Sequence, residues 1–532
     1  MNKILSGRRS LLLAWGAFLS GATFLAIMTP VGEGFDELPH FGYIQYVGQL
    51  NSLPLLTHGK YPSQELESFL INHPVGWSVH RDPRFTAKSY EQYWASTPPS
   101  RAVADMAVKN LHFNGNYVAS AAHLTYPDES HQPPLYYLLA APVFAIASRY
   151  SSFVQTFEVL RLWSVLIASF IIPAAFVLAK SVFKSHAERE ITLALIVLFP
   201  GLYPAIARIS NDALAAPLAC WALVGVVRFL KTEQSLYLYI LALSMLGGLW
   251  TKSFFVPILL GVVLVLLAYG KIRPACTVLL VSIAGFPWYV LNILHSGSLT
   301  GLPEAVLAKS SIISSVAALA ELDWDNVWRV ARSSHIWIGN SSLLLVRTWM
   351  YQLIAAFFLL GILGLFCRPR MMLRFLPLIV SYIVFCAGLL YYTTQVFQLT
   401  GSSYANGWYL ASFIPVEAVL FIGGMQGLVG KHWKWPTATC ALFLLALFIY
   451  TAAFVELPYY SGLTAHTVSG SVTAYHPSVG DFPIMSTRLL RFYPNVPEFL
   501  PWLLLSFFAA FGIWNIFRLF WERRQSDAGE TV

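Results

Sequence analysis

The sequence predicts an all-α polytopic membrane protein with about 12–13 transmembrane helices and a large outer first loop containing juxtamembrane helices. Apolar residues make up 57% of the 532-residue chain and charged residues only 11%, against roughly 25% charged in an average soluble domain. The apolar residues are gathered into runs of spanning length, and Lys and Arg fall in small clusters between them. The net charge of +8 is therefore not a nucleic-acid surface, because no basic stripe with interleaved aromatics forms.

The first run, Leu11 to Met28, is long enough to cross a bilayer. Lys3, Arg8 and Arg9 before it hold the N-terminus on the cytoplasmic side, and the absence of a small-x-small cleavage site makes it an uncleaved anchor. Further runs lie at approximately 159–181, 189–207, 212–230, 235–250, 252–269, 274–294, 346–366, 373–392, 406–428, 436–456 and 499–519. The segment 133–149 is ambiguous, since Pro133-Pro134 opens it and it is short. If it does not cross, the clusters Lys180/Lys184/Arg189, Arg228/Lys231, Lys271/Arg273, Arg368/Arg370/Arg374, Lys431/Lys434 and Arg518/Arg523/Arg524 all fall in cytoplasmic connections. Positive-inside bias therefore predicts a helix along the outer surface or re-entering it, an even span count and both termini inside. The long connections, about 30–158, 295–345 and 457–498, then share the outer face. The five cysteines all lie in or beside apolar runs, so no disulfide framework or zinc spacing is present.

Charge beside a membrane helix needs a reason. Asp36-Glu37-Leu38-Pro39-His40 emerges just beyond the first span, and ionisable residues there are costly to retain. A carboxylate in this cluster can act as general base toward a hydroxyl, and Glu37 with His40 can bind a divalent metal ion (Mg or Mn) or orient that base. The bland alternative is an acidic helix start with a solvated histidine. Pro39 disfavours helical geometry at Leu38, and Phe41 to Val47 read as an interfacial helix. A second group, Asp128-Glu129 and His131-Gln132-Pro133-Pro134, holds His131 and Gln132 at the water boundary, or is merely a loop-to-helix junction. A third comprises Arg161, Arg208, Asn211-Asp212 and Lys252 at outer helix ends. Such cations can bind a phosphate, or can snorkel and cap helices. His335 with Trp337 and Trp349 could face a sugar, and Asn340-Ser341-Ser342 fits a glycosylation sequon. His73, His80, His112 and His123 are too widely spaced to make a metal site and read as solvated loop residues.

Phe35-Asp36-Glu37-Leu38-Pro39-His40-Phe41 resembles the catalytic first-loop motif of GT-C glycosyltransferases, in particular the bacterial relatives of protein mannosyltransferases and lipid A aminoarabinose transferases. Gln132-Pro133-Pro134-Leu135-Tyr136-Tyr137 resembles the proline pair closing the first loop in that group. Arg161-Leu162, Ala207-Arg208-Ile209-Ser210-Asn211-Asp212-Ala213 and Pro287-Trp288-Tyr289 to Gly297 are similar to its later elements. The resemblance covers about the first 300 residues. It implies a GT-C-like catalytic module at 1–300, including outer loop 30–158, and a C-terminal transmembrane module at 301–532 with outer loops 295–345 and 457–498. It implies transfer of a sugar, usually with inversion, from a polyprenyl-phosphate donor to a lipid, glycan or protein acceptor at the outer face of the bacterial cytoplasmic membrane. Asp36 would be the catalytic base, Glu37 a catalytic or metal-binding partner with His40, and His131, Gln132, Arg161, Arg208, Asp212 and Lys252 the substrate-binding set. Two departures stand out. Gln132 occupies a position that is charged in several relatives, and Gly407-Trp408-Tyr409-Leu410 stands where many carry Arg-Tyr-Leu.

Two other classes compete. A polymerase or ligase of lipid-linked glycans normally relies on a late loop rich in cations, whereas 457–498 holds only Arg488 and Arg491. A lipid or sugar transporter needs mid-membrane ionisable residues and usually repeated halves; Glu417 and Glu456 are the nearest approach to the first, and no repeat is visible.

Overall fold

The computed structural model describes residues 2–54, 63–82, 87–117, 129–308, 311–467, 471–493 and 495–529, and among these it is all-helical with no β-strand. The protein is an all-α polytopic membrane protein. Among the described residues eight helices are long and apolar enough to cross a bilayer, and two bent pairs, His186–Leu198 with Pro200–Ile206 and Ile272–Ile283 with Pro287–Ser296, can each add one. The bends of 57° and 55° fall beside Pro200 and Pro287, where the missing N–H and the ring break the helical ladder.

Ser235–Leu249 and Phe255–Ala268 are short, but their ends fix their course. Lys252, in the turn between them, pairs with Asp212 at the start of the helix Asp212–Thr232. Lys271, after the second, lies 2.5 Å from Glu233 at the end of that same helix. The two short helices are thus tied to both ends of the helix Asp212–Thr232.

The segment Leu135–Tyr150 is a shorter apolar helix that meets the first connection at both ends. Its first turn meets the first connection through Tyr137, which shares a 2.8 Å hydrogen bond with His40. Just past its end, Phe153 packs on Phe41 and Phe69 of that connection, with ring centres 5.1 and 5.2 Å apart. Between these points Gly48 of the helix Glu37–Leu50 lets Phe144 approach its backbone. Cysteines placed at positions 134 and 151 are expected to react with an impermeant maleimide from the same side; reaction from opposite sides would refute this topology.

The first connection is built from short capped helices: Gln64–Asn72 capped by Ser63, Tyr90–Ala95 by a Ser89/Gln92 capping box, and Pro98–Lys109 by Thr97 with Pro98 in its first turn. It packs on the two later long connections, through Ser78 to the Ser341 carbonyl, His466 to Glu91 at 2.9 Å and Arg491 to Asp105 at 3.4 Å. All three thus share one face. The first helix, Asn2–Met28, packs along the last, Leu500–Gly529: Ser20 donates to the Leu504 carbonyl at 2.7 Å, and Gly21 admits the Phe508 ring.

Candidate active site

The site grows from the end of the first helix. Its last carbonyls lack intrahelical donors, and Arg161, fully buried on the helix Phe153–Ala168, supplies them: Nη1 donates to Ala26 and Thr29, and Nη2 to Pro30 at 2.7 Å. The remaining donors, Nε and Nη2, hold the two oxygens of Glu37, each at 2.7 Å. Glu37 also accepts from the amides of Ile209 at 3.0 Å and Gly34 at 3.1 Å. All five N–H groups of Arg161 are thereby used. This corrects two expectations. Arg161 is not open to a phosphate, and Glu37, with both oxygens bound to protein donors, is built as a strut.

The pair Glu37 and His40 does not fit a metal. His40 points to Tyr137 while Glu37 points to Arg161, and among the described residues no group of three or more His, Cys, Asp or Glu is arranged to hold an ion. Burial, then Lys252 and Arg208, hold the His40 imidazole well below its ordinary value, so it is neutral at pH 7. Pro39 does not delay the helix, which begins at Glu37. Proline in a first turn costs no ladder bond, because those amides have no partner there.

Asp36 is placed differently. It precedes the helix Glu37–Leu50 in the left-handed region, φ 55°, and makes no capping bond with its side chain. Such a backbone is uncommon outside glycine and is tolerated best by Asn and Asp. The turn is held from both sides: Arg208 donates to the Phe35 carbonyl, and the Phe35 ring stacks on Trp408 at 4.9 Å. Gly34 is needed for this approach, since a Cβ there would stand 2.9 Å from the Arg208 side chain. Asp36 is reachable by solvent yet ringed by protein. Loss of bulk water pushes its carboxyl above the ordinary value, Arg208 and Lys252 pull it down, and Asp212 pushes it up.

Around it the cations are organised by Asp212, whose two oxygens hold Lys252 and, at 3.2 Å, Arg208. Asn211 joins this set to the proline-pair motif by donating to Gln132 Oε1 at 3.2 Å and to the Thr251 carbonyl at 3.1 Å. His131 lies 3.0 Å from Gln132 Nε2 and 3.6 Å from Glu129, and its carbonyl accepts from Trp288 and Asn292. The structure thus brings together Asp36, His40, His131, Gln132, Arg208, Asp212 and Lys252. Asp128 and His123 lie outside the described residues.

Lys252 and Gln132 open on a cavity of about 650 Å³. Its walls are Phe254, Pro257, Phe385 and Leu389, and Tyr392 and Tyr409 flank its polar end. Lys252 Nζ sits 5.3 Å over the Tyr409 ring. Much of the wall comes from the 32-residue helix Pro369–Thr400, about 48 Å long and so longer than the hydrocarbon core. Sequence reasoning missed these residues; the signal was the polar run Tyr391-Tyr392-Thr393-Thr394-Gln395 following an apolar span.

Other candidates are not at this site. His335 pairs with Glu417 at 2.9 Å, Trp337 is buried and Trp349 half-exposed, so the three form no common sugar platform. Asn340 is buried and donates to Glu456 at 3.0 Å, which rules it out as a glycosylation acceptor in the fold. Glu417 and Glu456 both have protein partners: His335 and Tyr382 for the first, Thr29 and Asn340 for the second. His73 is buried, its Nδ1 on the Pro74 carbonyl.

Behind the motif, Glu33 accepts from Ser342 and, at 3.0 Å, from Tyr460. Burial pushes its carboxyl up to about 8. A raised carboxylate is protonated in the fold while the unfolded chain ionises near pH 4.5, so stability is full below about 4.5 and is lost as pH rises toward 8. Glu33→Gln is therefore expected to raise the unfolding midpoint at pH 8 and to change it little at pH 4.5, as thermal melts at the two pH values would read.

The fold and site define a polytopic α-helical membrane protein with an acidic loop motif facing a paired cation centre and an apolar cavity. No protein-family model matches the chain, and no curated protein matches it. Among solved structures it is similar to the arabinosyltransferase EmbB from Mycobacterium smegmatis, determined by single-particle cryo-EM, at 12% identity and a TM-score of 0.40. The match covers 95% of this chain and 40% of that one.

Proposed function

We propose that this protein is a membrane glycosyltransferase that moves a sugar from a polyprenyl-phosphate donor to an acceptor at the outer face of the cytoplasmic membrane. The observation that carries this reading is the junction of three parts: a reachable Asp36 in a fixed left-handed turn, the Lys252–Asp212–Arg208 centre, and an apolar cavity opening from Lys252. An isoprenoid phosphate has the matching division between an anionic head and an apolar tail. Asp36 takes the proton of the acceptor hydroxyl as it attacks the anomeric carbon, and the sugar–phosphate bond breaks on the opposite side, which inverts the centre. Lys252 and Arg208 stabilise the charge that the departing phosphate acquires. Glu37 and Arg161 act as positioning residues, holding the turn that presents Asp36. The proposed mechanism assigns no step to a metal.

Reconstituted protein offered a panel of polyprenyl-phosphate sugars is expected to consume one of them and release free polyprenyl phosphate. Failure to consume any would count against the reading. Lys252→Met should raise the KM for the donor by roughly ten- to a hundredfold, the equivalent of about 1.5–3 kcal/mol for a charged hydrogen bond, and Lys252→Arg should restore part of it. An unchanged KM in the Met variant would remove Lys252 from donor binding.

A further inference from the structure

A second gathering of cations lies in the long connections, sharing no residue with the 650 Å³ cavity. Its floor is Trp94 on the helix Tyr90–Ala95. The indole rests on Gly462, which has φ +73° and where a Cβ would stand 2.4 Å from the ring, and its Nε1 donates to the Tyr460 carbonyl at 2.9 Å. Three guanidiniums collect over this fixed ring: Arg488 at 4.6 Å from its centre, and Arg101 and Arg491 each at 5.5 Å. Arg101 comes from the first long connection and the other two from the last. The scarcity of cations in 457–498 is thus offset by a third from elsewhere in the chain.

Among the described residues, the three arginines meet one carboxylate within ion-pair distance. Asp105 is that carboxylate, 3.4 Å from Arg491 Nε, and it also accepts from Tyr93 at 2.7 Å. Each arginine spends Nη1 on backbone carbonyls: Arg101 on Trp94 and Ser96, Arg488 on Ser461 and Arg491 on Arg488. Arg491 Nη2 is buried with no hydrogen-bond partner. Partial burial and the neighbouring Arg101 hold Arg488 below its ordinary value. Cation–π contact with the Trp94 ring offsets part of the mutual repulsion and leaves the three positive charges in place.

We propose that Arg101, Arg488 and Arg491 bind a phosphate-bearing group over the Trp94 platform. Guanidinium forks match phosphate oxygens two at a time, and an anion offsets the repulsion among the three arginines. The cluster is joined to the motif through Tyr460, which holds Trp94 by its carbonyl and Glu33 by its hydroxyl. Assigning the bound group to the acceptor rests on the transferase reading; phosphate binding itself does not.

The test uses full-length protein in phosphatidylcholine nanodiscs titrated with inorganic pyrophosphate, in a Lys252→Met background that takes one of the two cations from the other centre and leaves Arg208 there paired with Asp212. Saturable binding is expected, weakened about tenfold or more by Arg101→Gln or Arg488→Gln, tightened by Asp105→Asn and unaffected by Asp36→Asn. Unfolding midpoints accompany each variant, and Arg488→Lys, which keeps charge and loses the fork, should bind with intermediate strength. Adding phosphatidylglycerol or a soluble sugar phosphate to the discs separates the sources: competition by the lipid identifies a lipid headgroup, and competition by the sugar phosphate alone identifies a phosphorylated saccharide. No pyrophosphate binding, or equal binding by folded glutamine variants, overturns the proposal. Because the readout is binding, it stands whether or not Asp36 proves to be the base.

Discussion

Asp36→Asn is expected to lower sugar transfer by about 10²–10⁴-fold, the usual contribution of a positioned general base, while the protein inserts and unfolds as before. The substitution is well suited to the question because Asn tolerates the left-handed backbone that Asp36 adopts. Loss of activity would therefore report the missing carboxylate and not a collapsed turn. Asp36→Ala lacks that tolerance and should also lower stability. In the unaltered protein the acid limb of kcat/KM should fall above the ordinary aspartate range, since loss of bulk water raises the carboxyl. Transfer by the Asn variant within a few-fold of normal would end the assignment of Asp36 as base.

The second large effect is structural. Arg161→Ala leaves Glu37 as an uncompensated buried charge, a situation that typically costs about 3–5 kcal/mol, and it also strips donors from the Ala26, Thr29 and Pro30 carbonyls. Little folded protein should accumulate. Glu37→Gln keeps the shape, loses the charge and should lower the unfolding midpoint together with activity. Added Mg or Mn should not rescue it. A Glu37→Gln protein of normal stability but without activity would instead give Glu37 a part in the chemistry.

These outcomes separate what was legible in the sequence from what was not. The spans were legible because apolar runs of a given length have few alternatives. For 135–150 the two prolines, the length and the side on which Lys and Arg collect give an expectation that the cysteine labelling decides. Asp36 was visible because charge next to a spanning helix is expensive. Its neighbour was misread for the same reason: a lone Arg161 at a helix start looks identical whether it awaits a phosphate or neutralises a buried Glu37, and only the partner decides. Tyr392 and Tyr409 passed unnoticed because aromatics at membrane boundaries need no ligand. Trp408 replaces an expected arginine, and its stacking on Phe35 could not be inferred from spacing.

The docking of the first helix against the last carries a consequence for biosynthesis. The motif leaves the ribosome well before its supports: Glu33 is held by Ser342, 309 residues on, and by Tyr460, 427 residues on, and the helix before it by Leu504 and Phe508. A nascent chain therefore carries every residue of the acidic turn long before it carries their supports. A chain released before the helix Leu500–Gly529 is made would therefore lack the support that Leu504 and Phe508 give the first helix.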